Sequence, residues 1–322
     1  MQRRPNADAF RTRDTSRVKL RYVLVDVFAD RPLAGNPLAV FPDASGLDDE
    51  TLQLVAREMD HAATAFMLPP ASPGADFRLR IFSREREIPF AGHPALGAHF
   101  VFATESGGGV ALPMTRAAHE GVGGVFQVER VAEEGRIVQI RMNLRLPEMG
   151  PKLGTEEVAD VAEALGLAEE EIQATNQPVR VVSTGLPALI VPVATLSALC
   201  AARPRYGLLR ALLEGRDATL LYAFTKETRE ARSAAHARAF DVVGSVEVPG
   251  AGAAAGALAA YLVSHSAVTI QPVTALAIEQ GHCVNRPSTI YTEVHMAGAE
   301  IVRVVIGGRV IRVGEGALEI PA

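Results

Sequence analysis

Two stretches of this chain repeat each other 160 residues apart. Pro89-Phe90-Ala91-Gly92 and Pro249-Gly250-Ala251-Gly252 are both glycine-bearing turns that open an Ala-rich apolar run. A second pair of landmarks keeps the same order at nearly the same offset. Gly35-Asn36-Pro37 runs into LAV, and 150 residues later Gly185-Leu186-Pro187 runs into ALIV. Matched markers in one order predict a duplicated β-rich unit, each copy built around one central helix. Chance likeness among Gly/Pro turns is the competing explanation.

The segments between the markers fit that plan. VKLRYVLVDVF is β-branched and reads as a strand beginning at Val18, and RPLAGNP breaks it before the short strand LAVF. Leu52, Val55, Ala56 and Met59 fall at helical spacing behind Asp48. A helix from Pro94, strands at 124–130 and 136–144, and a helix capped near Thr155 follow. The second half continues with strand–break–strand in VRVVSTGLPALIVPV, a helical LLRALLEG, strands at TLLYAFT and HARAF, and the second Ala-rich helix. Three or four strands joined by Gly turns end the chain. With no Trp and 5% aromatic residues, the core must be aliphatic and Ala-rich.

Helix first turns carry unpaired N–H groups and partial positive charge. If the two halves face each other, the helix starts at Gly92 and Gly252 converge on one cleft and can hold a carboxylate without Arg or Lys. The alternative is that both glycines only permit tight helix–strand packing.

Other chemistries find little support. Gly250-Ala251-Gly252-Ala253-Ala254-Ala255 matches GxGxxA, but Val246-Glu247-Val248-Pro249 is a poor strand and no acid occurs from 253 through 278. There is no Walker loop, GxSxG or HExxH. A net charge of −5 with interspersed signs argues against a nucleic-acid partner. No run reaches the roughly 18 apolar residues of a membrane span. Residues 1–17 carry five arginines without an apolar stretch and read as a disordered arm, not a secretory signal, so the protein reads as cytoplasmic. Cys200 and Cys283 lack any ligand spacing and read as two reduced thiols rather than a disulfide or a metal pair. No metal and no cofactor is expected.

The segments DVFADRPLAGNPLAVF, LVAREMDHAATAFMLPP, LRIFSREREIPFAGHPALGAHF, VSTGLPALIVPV, HARAF, AGAAAGALAAYL, QGHCVNRPS and VVIGGRVIRVGEGAL resemble the PhzF-type (phenazine-biosynthesis) family, in family order from about residue 20 to the end. The resemblance implies an α/β (α+β) fold of the diaminopimelate-epimerase type, with two similar lobes, each a curled sheet or open barrel around a central helix. The lobes would span 18–146 and 147–305, with strands of 306–322 returning to the first lobe. It also implies an interlobe active site for a small carboxylate-bearing substrate, no cofactor, and often a homodimer.

The family moves a proton with a glutamate in a motif like NLSETTF, which aligns with Asp60-His61-Ala62-Ala63-Thr64-Ala65-Phe66 and puts Ala63 at the glutamate position. A motif like EDPATGSA aligns with Glu247 to Ala254, putting Val248 at the aspartate and Ala253 at the serine. His93, Gly92 and Gly252 match the family. Methyl and isopropyl groups carry no protons, so three readings stay open. In the first, an isomerase relocates its chemistry: His61, two residues before Ala63 on an extended segment, pairs with His93 as imidazoles titrating near neutral pH. In the second, the chain only binds a small molecule in a cleft lined by Gly92, Gly252, Ala253, Ala63 and Val248. In the third, it catalyses a cyclisation or rearrangement by orientation alone. Glu247 neighbours the lost aspartate but should point the other way.

Overall fold

β-branched runs become strands and Ala-rich runs become buried helices in the computed structural model of the chain, which describes residues 17–89, 92–105 and 114–321. The expected arm lies outside the described residues except for Arg17, which begins the first strand. The first unit runs β1 (Arg17–Val27), β2 (Asn36–Phe41), α1 (Asp49–Met59), β3 (Thr64–Leu68), β4 (Phe77–Phe82), α2 (Gly92–Glu105), β5 (Met114–Gly121), β6 (Gly124–Glu133) and β7 (Arg136–Asn143). After β8 (Glu148–Lys152), α3 (Thr155–Leu165) and α4 (Glu170–Gln173) comes the second: β9 (Arg180–Ser183), β10 (Pro187–Pro192), α5 (Leu196–Ala201), α6 (Tyr206–Glu214), β11 (Leu220–Thr225), β12 (Ala235–Asp241), β13 (Val246–Val248), α7 (Gly252–Ser264), β14 (Val273–Gln280), β15 (Ser288–Ala297) and β16 (Glu300–Gly308). The last strand is β17 (Val310–Pro321).

Strand pairing repeats step for step. In the first unit β1–β2 is antiparallel, β2–β3 parallel, β3–β4 antiparallel, β4–β5 parallel, and β5–β6–β7 antiparallel. Starting from β9, the second unit gives the same series through β10, β11, β12, β14, β15 and β16. Every parallel step is bridged by helix, because parallel neighbours need a long crossover. α2 and α7 occupy the equivalent place in the two series. The chain therefore has the two similar curled β units around central helices that the sequence predicts.

The units are cross-stitched. β8, continuing from the first unit, pairs with β9, while β17, continuing from the second, pairs with β1 along its length. β7 and β16 pair antiparallel and join everything into one 17-stranded sheet. β16 runs across the predicted 305/306 division, because EIVRVVIGG is one uninterrupted apolar-rich strand.

α2 and α7 are buried nearly all round, as expected of helices lacking a polar face. They share one aliphatic core with the inner faces of both units. A second cluster packs α3, α5 and α6 against β10 and β11, and a third packs α1 against β2 and β3. Strand β5 and helix α5 are absent from the sequence reading. TRAAHEG is weakly β-branched, and α5 is six residues long, marked only by Thr195, whose side chain accepts from the Ala198 N–H. Among the described residues no helix is long and apolar enough to cross a membrane.

Candidate functional site

The two central helices begin at the same place. A Cβ built on Gly92 would lie 3.6 Å from the backbone nitrogen of Ala253 and 3.8 Å from Cα of Gly252. The duplicated topology thus brings two positive helix ends together. The N-cap of α7, Ala251, offers no side-chain cap to the first-turn N–H groups. Ala253, which the sequence places at this site, is buried, and its carbonyl accepts from the Thr184 hydroxyl at 3.0 Å.

Ile306 closes over both glycines, and Phe28 closes over Gly252. The Ile306 Cδ1 would sit 2.7 Å from a Cβ on Gly92, and a Cβ on Gly252 would meet Phe28 Cζ and Ile306 Cδ1, each at 2.9 Å. Phe28 is itself held at φ 63, a left-handed conformation costly for an aromatic residue. It is pinned there because its N–H donates to Arg309 and its carbonyl accepts from Thr289.

His93, the second residue of α2, is 8% exposed, and its Nε2 has no hydrogen-bond partner. Burial, reinforced by the nearby His61, pushes its pKa down to about 3. His61 is half-buried and shifted down as well, by burial first and then by Arg286, against the opposing pull of Asp60 and Asp26. The prediction of two imidazoles titrating near neutral pH is therefore corrected: desolvation keeps His93 uncharged. His61 also does not stand on an extended strand beside Ala63. Asp60 ends α1 in the left-handed region at φ 51, residues 61–62 bend, and β3 starts only at Thr64.

The two positions that the resemblance assigns to acids both face the inner core. Ala63 is 1% exposed in the cluster that contains Ala95 of α2 and Ala254 of α7, and Val248 packs on the same cluster. Val248 lies in a three-residue strand, β13, and not in a loop; its carbonyl accepts from Gln280 Nε2 at 2.6 Å. Glu247 does turn away, into a two-point ion pair with Arg238.

Several polar residues around the helix ends escape a reading of the sequence. Asn36 is fully buried, its Nδ2 donates to the Gly250 carbonyl at 2.8 Å, and its Oδ1 has no partner. Gln280 Oε1 accepts from the Ala251 N–H at 3.1 Å and from the Tyr222 hydroxyl at 2.9 Å. Arg286 pairs with Asp26 and donates to the carbonyls of Ala34 and Gly35, each at 2.9 Å. Asp26 is 2% exposed, and burial raises its pKa despite the Leu33 N–H and Arg286. In sequence these residues stand in the strings DVF, GNP and QGHCVNRPS, and no periodicity links them.

Comparison with known proteins gives a consistent picture. A family profile described as phenazine biosynthesis-like protein matches residues 25–316. An uncharacterised isomerase of Mesorhizobium japonicum is 35% identical over 305 residues, 92% of this chain and 98% of its own. The trans-2,3-dihydro-3-hydroxyanthranilate isomerase of Pseudomonas aeruginosa is 33% identical over 297 residues, again 92% of this chain and 98% of its own. A solved phenazine biosynthesis protein of the PhzF family from Bacillus anthracis superposes with a TM-score of 0.84, covering 94% of this chain and 100% of that one at 24% identity, a likeness of fold.

Proposed function

The chain belongs to the phenazine biosynthesis-like, PhzF-type family, and from that premise we propose that it is an isomerase that moves a proton on a small carboxylate-bearing metabolite without a cofactor. The observation that carries this reading is the meeting of two helix starts, Gly92 within 3.6 Å of the Ala253 nitrogen when given a Cβ. Backbone N–H groups there suit a substrate carboxylate, and they stabilise the negative charge that develops when a proton leaves the adjacent carbon.

The lowered pKa of His61 keeps it in the base form at neutral pH, the state needed to accept a proton from carbon. His61, protonated by that step, returns the same proton to the neighbouring carbon and so recovers its base form, while uncharged His93 orients the substrate through its unpartnered Nε2. Ala63 and Val248, at the positions of the family's acids, leave the cleft apolar and favour a bulkier, less polar substrate. For the substrate to enter, Phe28 and Ile306 must swing off the glycines.

One observation favours a second reading, binding without turnover: both acid positions are apolar and His93 is uncharged. Incubation with small amino and aromatic acids in heavy water separates the two. Deuterium appearing at carbon, and lost in His61→Ala or His93→Ala, supports the isomerase. Thermal stabilisation by such acids with no exchange supports the binder and sinks the isomerase.

A further inference from the structure

A second cluster of reactive side chains lies behind the start of α7. Cys200 at the end of α5, His236 on β12 and Cys283 in the 3-10 turn His282–Val284 come together, with their ligand atoms all within 4.8 Å of one another. The two sulfurs are 3.4 Å apart, although 83 residues separate them in sequence. Both cysteines are free, as expected of two reduced thiols, but tertiary folding brings them side by side, which spacing along the chain could not reveal.

We propose that Cys200, Cys283 and His236 form a zinc site that braces the α7 end of the cleft. The histidine is the independent evidence. It is wholly buried, its Nδ1 lies 2.9 Å from Glu279 Oε2, and its Nε2 has no partner. A carboxylate only accepts, so the proton sits on Nδ1 and Nε2 presents a bare lone pair in the neutral ring. A carboxylate behind a histidine is the usual arrangement at a zinc ligand, fixing tautomer and orientation. Glu279 is itself fixed, accepting from the backbone N–H groups of Arg229 and Glu230 at 2.9 and 2.6 Å.

The remaining geometry agrees. Tetrahedral coordination with Zn–S bonds of about 2.3 Å puts two sulfurs ~3.8 Å apart, a few tenths of an ångström beyond their present separation. A disulfide needs about 2.05 Å, a much larger movement, and leaves the His236 lone pair unexplained. Arg238 reaches the carbonyls of Leu199 and Ala202 at 2.8 and 2.9 Å, fixing the end of α5 that bears Cys200. Burial first, and then the Cys200 contact, push the Cys283 thiol up to about 11; the positive charge of Arg238 opposes that, as a bound cation would. His282, whose ring centroid is 4.9 Å from that of His236 and whose buried Nδ1 lacks a partner, or water takes the fourth position. The loop so held continues directly from Gln280, which binds Ala251 and Val248 at the start of α7. The metal would thus stiffen half of the carboxylate cradle from behind.

The test uses the reduced, full-length chain stripped of metal and titrated with Co²⁺ under anaerobic conditions. One equivalent of tetrahedral cobalt with thiolate-to-metal charge-transfer absorption, displaced by Zn²⁺ and accompanied by a rise in Tm, is the expected result. Cys200→Ser and Cys283→Ser should each weaken binding at least tenfold, and Glu279→Gln by about 10–100-fold. Should the serine variants fail to fold by circular dichroism, the wild-type spectrum decides, since the charge-transfer band requires a sulfur ligand. Cobalt binding without that band, no binding by a chain whose two thiols titrate as free, or closure to a disulfide in place of metal uptake would each overturn the proposal.

Discussion

At the residue scale the site is defined by what His93 has around it. It starts a buried helix, has an unpartnered Nε2, and sits near His61. If only proton carriers separate this chain from its isomerase relatives, Ala63→Glu with Val248→Asp should raise carbon-bound deuterium exchange about 10²-fold, a common size for a positioned acid or base. Because Ala63 is 1% exposed in the core, the same variant should also melt at a lower temperature. An unchanged exchange rate in a folded variant would show that more than the acids has been altered. His93 and both cradle glycines were legible in AGHP and its repeat, because helix-start chemistry is local. Asp26 and Arg286 were not, since they meet across 260 residues, nor was the left-handed Asp60 that swings His61 off the strand.

At the element scale, the duplication read from two turn motifs extends to six matched strand pairings with two equivalent helices. The sequence signalled it because Gly and Pro punctuate both copies alike; the covering helices α3 to α6 have no counterparts in the first unit beyond α1, and they obscured the match. The central helices approach their sheets closely at glycines. A Cβ on Gly97 would come within 2.3 Å of Leu38 Cδ2, and one on Gly256 within 2.3 Å of Leu144 Cδ1. Gly97→Ala and Gly256→Ala should therefore each cost about 1–3 kcal/mol through overpacking, measured by urea unfolding. A neutral or stabilising effect, as helix propensity alone would give, would mean the helices have room to shift.

At the scale of the whole molecule, the units hold each other through exchanged strands and through Arg286, which clasps Asp26, Ala34 and Gly35 of the first unit from the second. Arg286→Ala leaves a buried carboxylate without its cation and two carbonyls without a donor, and should destabilise the fold by about 3 kcal/mol. Burial also holds three histidines neutral: His93 near 3, His119 near 4, and His99, hydrogen-bonded to His119 at 3.0 Å, well below its ordinary value. Each binds a proton more readily when the chain unfolds, so stability should fall as pH drops from about 6.5, and fall further until each folded pKa is passed. Urea midpoints measured between pH 7 and 4 check this, and a flat profile would contradict it. The most direct test of the account is a crystal structure with a bound small carboxylic acid. The duplicated helix starts predict its carboxylate oxygens within about 3.2 Å of backbone nitrogens at Gly92–His93 and Gly252–Ala253, with Phe28 and Ile306 displaced. A carboxylate held instead by Arg286, or bound away from both glycines, would contradict it.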